Sequence, residues 1–334
     1  MRASFLNKVR EVELREIDAP TLDADQVLVR VCAVGVCGSD VHYYEHGSIG
    51  PFVVDSPLIL GHESAGEIVA VGANVDPARV GKRVSIEPQR PCGTCKFCTE
   101  GRYNLCPDMQ FFATPPIDGA FAELVKIQSK FAYDIPDSVS YNAAALIEPL
   151  SVAIWACERA KVGPGSSVLI AGAGPIGVIV AQTARAMGAT SVIVTDVSPQ
   201  RLEFVAGLGA TQTINVATES LDGVVVDVFI DASGNAAAVA SGILAVGPAG
   251  YAILVGMGND MVPLPVSHIQ NNEIWVSGVF RYINTWPRGI EMLASGAVNL
   301  DVLVTSEFGL ADVEQALVAG KQPGQLKIIV DPRR

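Results

Sequence analysis

Four cysteines fall within fifteen residues: Cys92, Cys95, Cys98 and Cys106, in the pattern C-x2-C-x2-C-x7-C. Four thiolates this close in sequence can close a tetrahedron around one ion and leave no position open for a reactant. The intervening Gly93, Lys96, Gly101 and Arg102 suit a tight loop folded around it. A ferredoxin-type iron–sulfur loop is the rival, but that run ends in a three-residue spacer before Cys-Pro, whereas seven residues precede Cys106-Pro107 here. The spacing predicts a structural zinc. Cys32, Cys37 and Cys157 stand apart, and seven cysteines in all, an odd number, do not suggest a secreted disulfide framework.

A second feature is the glycine triplet Gly172, Gly174 and Gly177, with Pro175 and Ile176 between the last two, directly after an apolar strand and directly before a helix that runs to Gly188. In that setting G-x-G-x-x-G lets backbone N–H groups at a helix N-terminus approach a pyrophosphate. Asp196 ends the next strand, 19 residues after Gly177. A carboxylate there accepts the ribose hydroxyls and repels a 2′-phosphate, which favours NAD over NADP. Arg201 pulls the other way, since a cation at that place could serve NADP or stack on adenine.

A third set is dispersed: Cys37 in GVCGSD, His62 and Glu63 in LGHESAG, and Glu148 in IEPL. Taken singly, each has an ordinary explanation in packing or surface polarity. Yet the chain has only four histidines, and His62 lies between glycines in an otherwise apolar run.

The elements that must position these groups follow from the patterning. The 334 residues suggest two domains of about 150 residues each, or one large one. With 49% apolar, 17% charged and 6% aromatic residues, aliphatic side chains must supply most of the core. Residues 1 to about 145 alternate short apolar runs (Val27 to Val34, Ala65 to Val71, Arg83 to Glu87, Phe121 to Ile127) with Gly, Pro and Asp, which predicts β structure. From about Ser166, apolar strands alternate with helical patterns through six strands, ending in IWVSGV, the rhythm of a doubly wound parallel sheet. Two helical stretches (Pro287 to Ser295, Ala311 to Ala319) and a strand (Leu326 to Val330) close the chain. The fold class expected is α/β.

The formal charge of −12 has the wrong sign for phosphate backbones or anionic lipid, so nucleic acid and membrane are not expected partners. The most apolar stretch, Ser167 to Ala184, holds three glycines and a proline, and reads as strand, turn and helix rather than a membrane span. The first thirty residues carry charges throughout and show no secretory signal, so the cytoplasm is the expected location.

Taken in order, GVCGSDVHYY, LGHESAGEI, the four-cysteine lobe, EPLSVA, GAGPIG and FRYINTWP resemble the zinc-containing medium-chain dehydrogenases over essentially the whole chain, and within them the polyol (sorbitol) dehydrogenase branch. The resemblance implies a GroES-like β-rich catalytic domain over 1–145, completed by 281–334, and a Rossmann NAD-binding domain with a six-stranded sheet over 146–280. It places the active site in the cleft between them. It implies a catalytic zinc held by Cys37 and His62, with Glu63 as third protein ligand and Glu148 linked through water. Adjacent residues of a regular strand point to opposite faces, so Glu63 and Glu148 remain alternatives for that third place. Asp40 matches the carboxylate that orients the ligating histidine, and Ser39 and His42 match a proton relay to solvent. Tyr43, Phe111, Thr114, Arg281 and Tyr282 match the polyol-binding surface. A lone guanidinium such as Arg281 at the end of an apolar strand needs an oxygen-rich partner. One departure is that animal sorbitol dehydrogenases lack the complete four-cysteine lobe kept here.

The expected activity is oxidation of a secondary hydroxyl of a polyol of the sorbitol or xylitol type to a ketose, with zinc as Lewis acid and hydride transfer to NAD. The expected assembly is a homo-oligomer, a dimer or a tetramer. An L-threonine or other secondary-alcohol dehydrogenase shares the GHE site, but EPLSVA and FRYINTWP argue against it. A non-catalytic binding relative would be expected to have lost Cys37 or His62, and both are present.

Overall fold

The Val27 to Val34 run becomes the middle of a seven-stranded sheet in the computed structural model, which describes residues 1–258 and 261–334. The strand Gln26–Gly35 is buried along most of its length. It pairs antiparallel with Glu63–Val71, with Leu124–Gln128 and, near its end, with the C-terminal strand Lys327–Asp331. Arg83–Ile86 and Ala132–Asp134 extend the sheet on one side and Val304–Gly309 on the other. Val29, Val31, Ile68, Ile86, Phe121 and Leu317 are wholly buried around it. Burial of such side chains, each contributing roughly 1.5–3 kcal/mol, fixes which face of each strand turns inward. The register Ile329↔Gly35 and Val330↔Val34 matters most for function, because it brings the chain's last strand beside the residues preceding Cys37.

The N-terminal hairpin Arg2–Lys8 and Glu11–Glu16 was not foreshadowed by the patterning. Its second strand has no fully buried residue, so no alternation of apolar side chains marks it.

All six strands expected after Ser166 are present and parallel, in the order Gln212–Asn215, Ser191–Asp196, Ser167–Ala171, Val226–Asp231, Val246–Leu254 and Trp275–Gly278. This is the doubly wound Rossmann order, whose reversal lies between Ser167–Ala171 and Val226–Asp231, and ligands bind outside the carboxyl ends of the strands there. The apolar stretch after Ser166 resolves into the strand Ser167–Ala171 and the helix Pro175–Ala186. Among the described residues no helix is long and apolar enough to cross a membrane.

The chain forms two compact units. One comprises Met1–Glu148, Trp286–Ala294 and Asn299–Arg334, the other Pro149–Thr285 and Ser295–Val298.

Candidate active site

Cys37 caps the helix Gly38–His46, which leaves the end of the Gln26–Gly35 strand. From the third position of that helix Asp40 turns back, wholly buried, and accepts the Cys37 backbone N–H at 2.9 Å through Oδ2. Its other oxygen accepts the Gly61 N–H at 2.9 Å and lies 3.6 Å from His62 Nδ1. One carboxylate therefore ties the Cys37 turn, the Gly61 backbone and the His62 ring together. With Nδ1 facing Asp40, Nε2 is the ring nitrogen left for a metal. Burial lowers the His62 pKa, and the charges of Asp40 and Cys37 raise it by more, so in the metal-free protein it stands well above its ordinary value.

The difficulty posed by adjacent His62 and Glu63 is resolved by the backbone. Gly61 adopts a φ of +87°, a left-handed conformation that favours glycine, and regular strand geometry begins only at Glu63. His62 thus lies outside the pleat, and one ligand atom each from Cys37, His62 and Glu63 come within 4.8 Å of one another. His62 is 7% exposed and Glu63 1%. Both oxygens of Glu63 lie 2.5 Å from the Lys327 ammonium. A thiol, an imidazole and a carboxylate converging in a mostly buried place are a donor set that fits a catalytic zinc with one position open. Glu148, in the first turn of the helix Ile147–Arg159, is buried but is not one of these converging groups.

Sequence reasoning missed Lys327. Its ammonium donates to Glu63 Oε1 at 2.5 Å and to the Val36 carbonyl at 2.9 Å. Burial lowers its pKa, while Glu63 above all, with Cys37 and Glu148, raises it by more, so it stays charged. A lysine opening the apolar run KIIVD carried no local mark of this role.

Of the remaining expected residues, Ser39 and His42 are three apart on the Gly38–His46 helix, spacing that puts them on one side. Ser39 is half-buried and His42 exposed, with its ring 4.6 Å from that of His46. Tyr43 is buried on the same helix. Phe111 packs its ring 5.5 Å from the His62 ring, and Thr114, half-buried, donates its backbone N–H to the Phe111 carbonyl. Arg281 and Tyr282 belong to the other unit. Tyr282 is wholly buried, and Arg281, held at a φ of +55°, lays its guanidinium over the Phe280 ring at 4.8 Å. A positive φ at a non-glycine residue is uncommon and costs energy, and such residues gather at ligand sites.

The four cysteine sulfurs of the lobe likewise lie within 4.8 Å of one another. Backbone N–H groups of Thr94 and Cys95 pull the Cys92 thiol down to about 6, while burial pushes Cys98 up to about 12. Four converging sulfurs, one already favouring thiolate, fit a closed tetrahedral zinc. Tyr103, in the lobe between Cys98 and Cys106, donates its hydroxyl at 2.7 Å to Glu87, which also accepts from Tyr133 and Gln89. This buried carboxylate anchors the lobe to the sheet and carried no sequence signal.

At the glycine triplet, Gly174 caps the helix Pro175–Ala186, with Pro175 and Ile176 in its first turn. A Cβ on Gly177 would lie 1.8 Å from the Gly172 carbonyl oxygen, so glycine is required for that close approach. Asp196 accepts the Ala173 N–H at 2.7 Å and the Ser198 N–H at 2.9 Å, and thereby braces the turn it faces. A cavity of about 480 Å³ is lined by Gly172, Asp196, Val197, Val216 and, not expected from sequence, Ser233 and Asn235. Arg201 is exposed and does not line it. A half-buried carboxylate beside a glycine turn and a helix N-terminus fits the adenosine half of NAD.

Comparison with known proteins agrees with this geometry. Residues 23–137 match the alcohol dehydrogenase GroES-like domain and residues 175–295 the zinc-binding dehydrogenase domain. Sorbitol dehydrogenase of Bacillus subtilis is 46% identical, with 100% of this chain and 98% of that protein covered. The human sorbitol dehydrogenase is 42% identical, covering 96% and 92%. Among solved structures, Escherichia coli L-idonate 5-dehydrogenase superposes with a TM-score of 0.91 at 31% identity, covering 99% of this chain and 97% of that one. The chain belongs to the zinc-containing medium-chain dehydrogenases, in the branch of the sorbitol dehydrogenases.

Proposed function

We propose that this enzyme oxidises a secondary hydroxyl of a polyol of the sorbitol or xylitol type to a ketose, with NAD as acceptor. The observation that carries the reading is the convergence of Cys37, His62 and Glu63 in a chain 46% identical to a sorbitol dehydrogenase. Zinc supplies Lewis acidity to the hydroxyl, and nicotinamide accepts the hydride. The chain's own residues do the rest. Asp40 fixes the His62 ring, and Cys92, Cys95, Cys98 and Cys106 hold a second, structural zinc. Ser39 and His42 carry the hydroxyl proton outward, a reading supported by their common helix side and by the exposure of His42. Asp196 selects NAD through the ribose hydroxyls.

Tyr43, Phe111, Thr114, Arg281 and Tyr282 bind the polyol on the strength of the family resemblance. Arg281, held at a positive φ and stacked on Phe280, offers a guanidinium whose planar donors suit hydroxyl oxygens. A pocket rich in polar groups rejects an aliphatic alcohol, since each buried polar group left unpaired costs about 1–3 kcal/mol. The test is a panel of sorbitol, xylitol, ribitol and 2-butanol with NAD and NADP. The best polyol should exceed 2-butanol in kcat/KM by at least about a hundredfold. Arg281→Ala should depress kcat/KM for polyols far more than it weakens NAD. Equal efficiency with 2-butanol, or a polyol preference untouched by Arg281→Ala, would overturn the substrate assignment.

A cytoplasmic homo-oligomer, a dimer or a tetramer, completes the proposal. Trp275, 68% exposed on the last strand of the parallel sheet, supports self-association, because an apolar side chain on an open sheet edge favours pairing. Light scattering gives the mass directly, and a monomer at micromolar concentration would refute this part.

A further inference from the structure

Lys327 is 264 residues from Glu63, yet its Nζ lies 2.5 Å from each of that carboxylate's oxygens. The side chains are only 5% and 1% exposed. Two features of the backbone hold this arrangement. Val36, the residue before Cys37, donates its N–H to the Ile328 carbonyl and accepts the Lys327 ammonium on its own carbonyl. At Gly35 a Cβ would fall 2.0 Å from Glu63 Oε2, so the carboxylate lies across a gap that only glycine leaves open.

A buried ion pair is weak grounds for stability, because well-packed apolar residues of similar volume usually do as well or better. The charge on Lys327 therefore calls for a reason beyond folding, and its neighbours supply one. The ammonium lies 2.5 Å from both oxygens of the carboxylate that converges with Cys37 and His62. A thiolate and a carboxylate together would cancel a divalent ion, and a lysine beside them restores one positive charge to the group.

We propose that Lys327 is a positioning residue for the Cys37, His62 and Glu63 site: it holds the Glu63 carboxylate by both oxygens where Cys37 and His62 converge, and with its charge loosens the ion's hold. This rests on reading those three residues as the catalytic metal site. Two substitutions should then act in opposite directions. K327M removes the competing charge and leaves Glu63 wholly to the ion. K327R keeps the charge, but its planar fork binds the carboxylate through two parallel hydrogen bonds, a stronger grip than one ammonium makes, and draws it off the ion.

The experiment follows zinc release from the intact enzyme into excess chelator, the slow fraction being the four-cysteine ion. K327M should slow release of the exchangeable zinc by about tenfold, and K327R should speed it by about tenfold. With cobalt in that site, K327R should shift the visible bands away from those of the wild type. A purely structural lysine would make both variants lose metal faster, and that result overturns the proposal, as does an unchanged rate in both. Should K327M not fold, K327R carries the test through both readouts: faster release with shifted cobalt bands supports the proposal, and release as slow as in the wild type, or faster release with unshifted bands, contradicts it. A wild-type protein with no exchangeable zinc overturns the metal reading itself, and the proposal with it.

Discussion

The Asp40 carboxylate accepts the backbone N–H of Gly61 at 2.9 Å, and so pins the turn before His62 to the helix that follows Cys37. The segments that bring Cys37 and His62 together come from separate parts of the chain, and this buried acceptor joins them. Asp40→Ala releases two backbone donors and the ring of His62 together. Loss of such a supporting group costs about 10- to 100-fold in metal affinity. Zinc content after dialysis against a weak chelator should fall toward one ion per chain, and retention of both ions would show that Asp40 is dispensable.

The lobe should behave differently. Cys95→Ser removes one of four converging sulfurs, and a structural zinc held there would contribute directly to folding, so the melting temperature should drop. Protein that remains folded should still turn over with its exchangeable zinc. Thermal melts paired with kcat on the surviving fraction separate the two effects, and loss of kcat at unchanged melting temperature would contradict the structural role.

Glu87 provides a pH test. Burial raises its pKa, and the bonds from Tyr103, Tyr133 and Gln89 lower it by less, so the net shift is upward. A carboxyl raised in the folded state stabilises the fold while protonated, and that contribution is lost as pH rises through the raised value. Glu87→Gln, neutral throughout, should therefore gain on the wild type as pH climbs from about 4.5 to 7. Glu87→Ala removes the acceptor from both tyrosines and should cost about 1–3 kcal/mol for each group left unsatisfied. Parallel melts of the three proteins across that range decide it, and identical pH profiles for Glu87→Gln and wild type would refute the assignment.

Asp196 braces the glycine turn and, in the proposed function, also holds the ribose, which makes its substitution informative. Asp196→Ala should raise KM for NAD by about tenfold or more and shrink the discrimination against NADP. Steady-state kinetics with both cofactors checks this. A wild type that prefers NADP would transfer control of the pocket to Arg201.

How much of this was legible in the chain depends on distance along it. The cysteine lobe and the glycine triplet were readable because every partner lies within a short window, where spacing alone carries the geometry. The parallel sheet was readable for a similar reason, since each strand and helix announces itself by its own period. Cys37, His62 and Glu63 came from resemblance and not from spacing, and the left-handed Gly61 that lets adjacent residues converge has no mark of its own beyond being glycine. Lys327 was not legible at all, for its partner is 264 residues away and its strand otherwise reads as plain core. Glu87 was equally silent, because what defines it is two tyrosine hydroxyls from different segments. The hairpin at the N-terminus escaped because a strand without a buried face leaves no periodic trace.

The most direct measurement is NADH formation from the best polyol while zinc is returned to enzyme stripped of its exchangeable ion. Activity should rise from near zero in proportion to added zinc and break at one equivalent per chain, with the four-cysteine ion still bound throughout. Full polyol oxidation in protein whose exchangeable zinc has been removed would contradict the account at its centre.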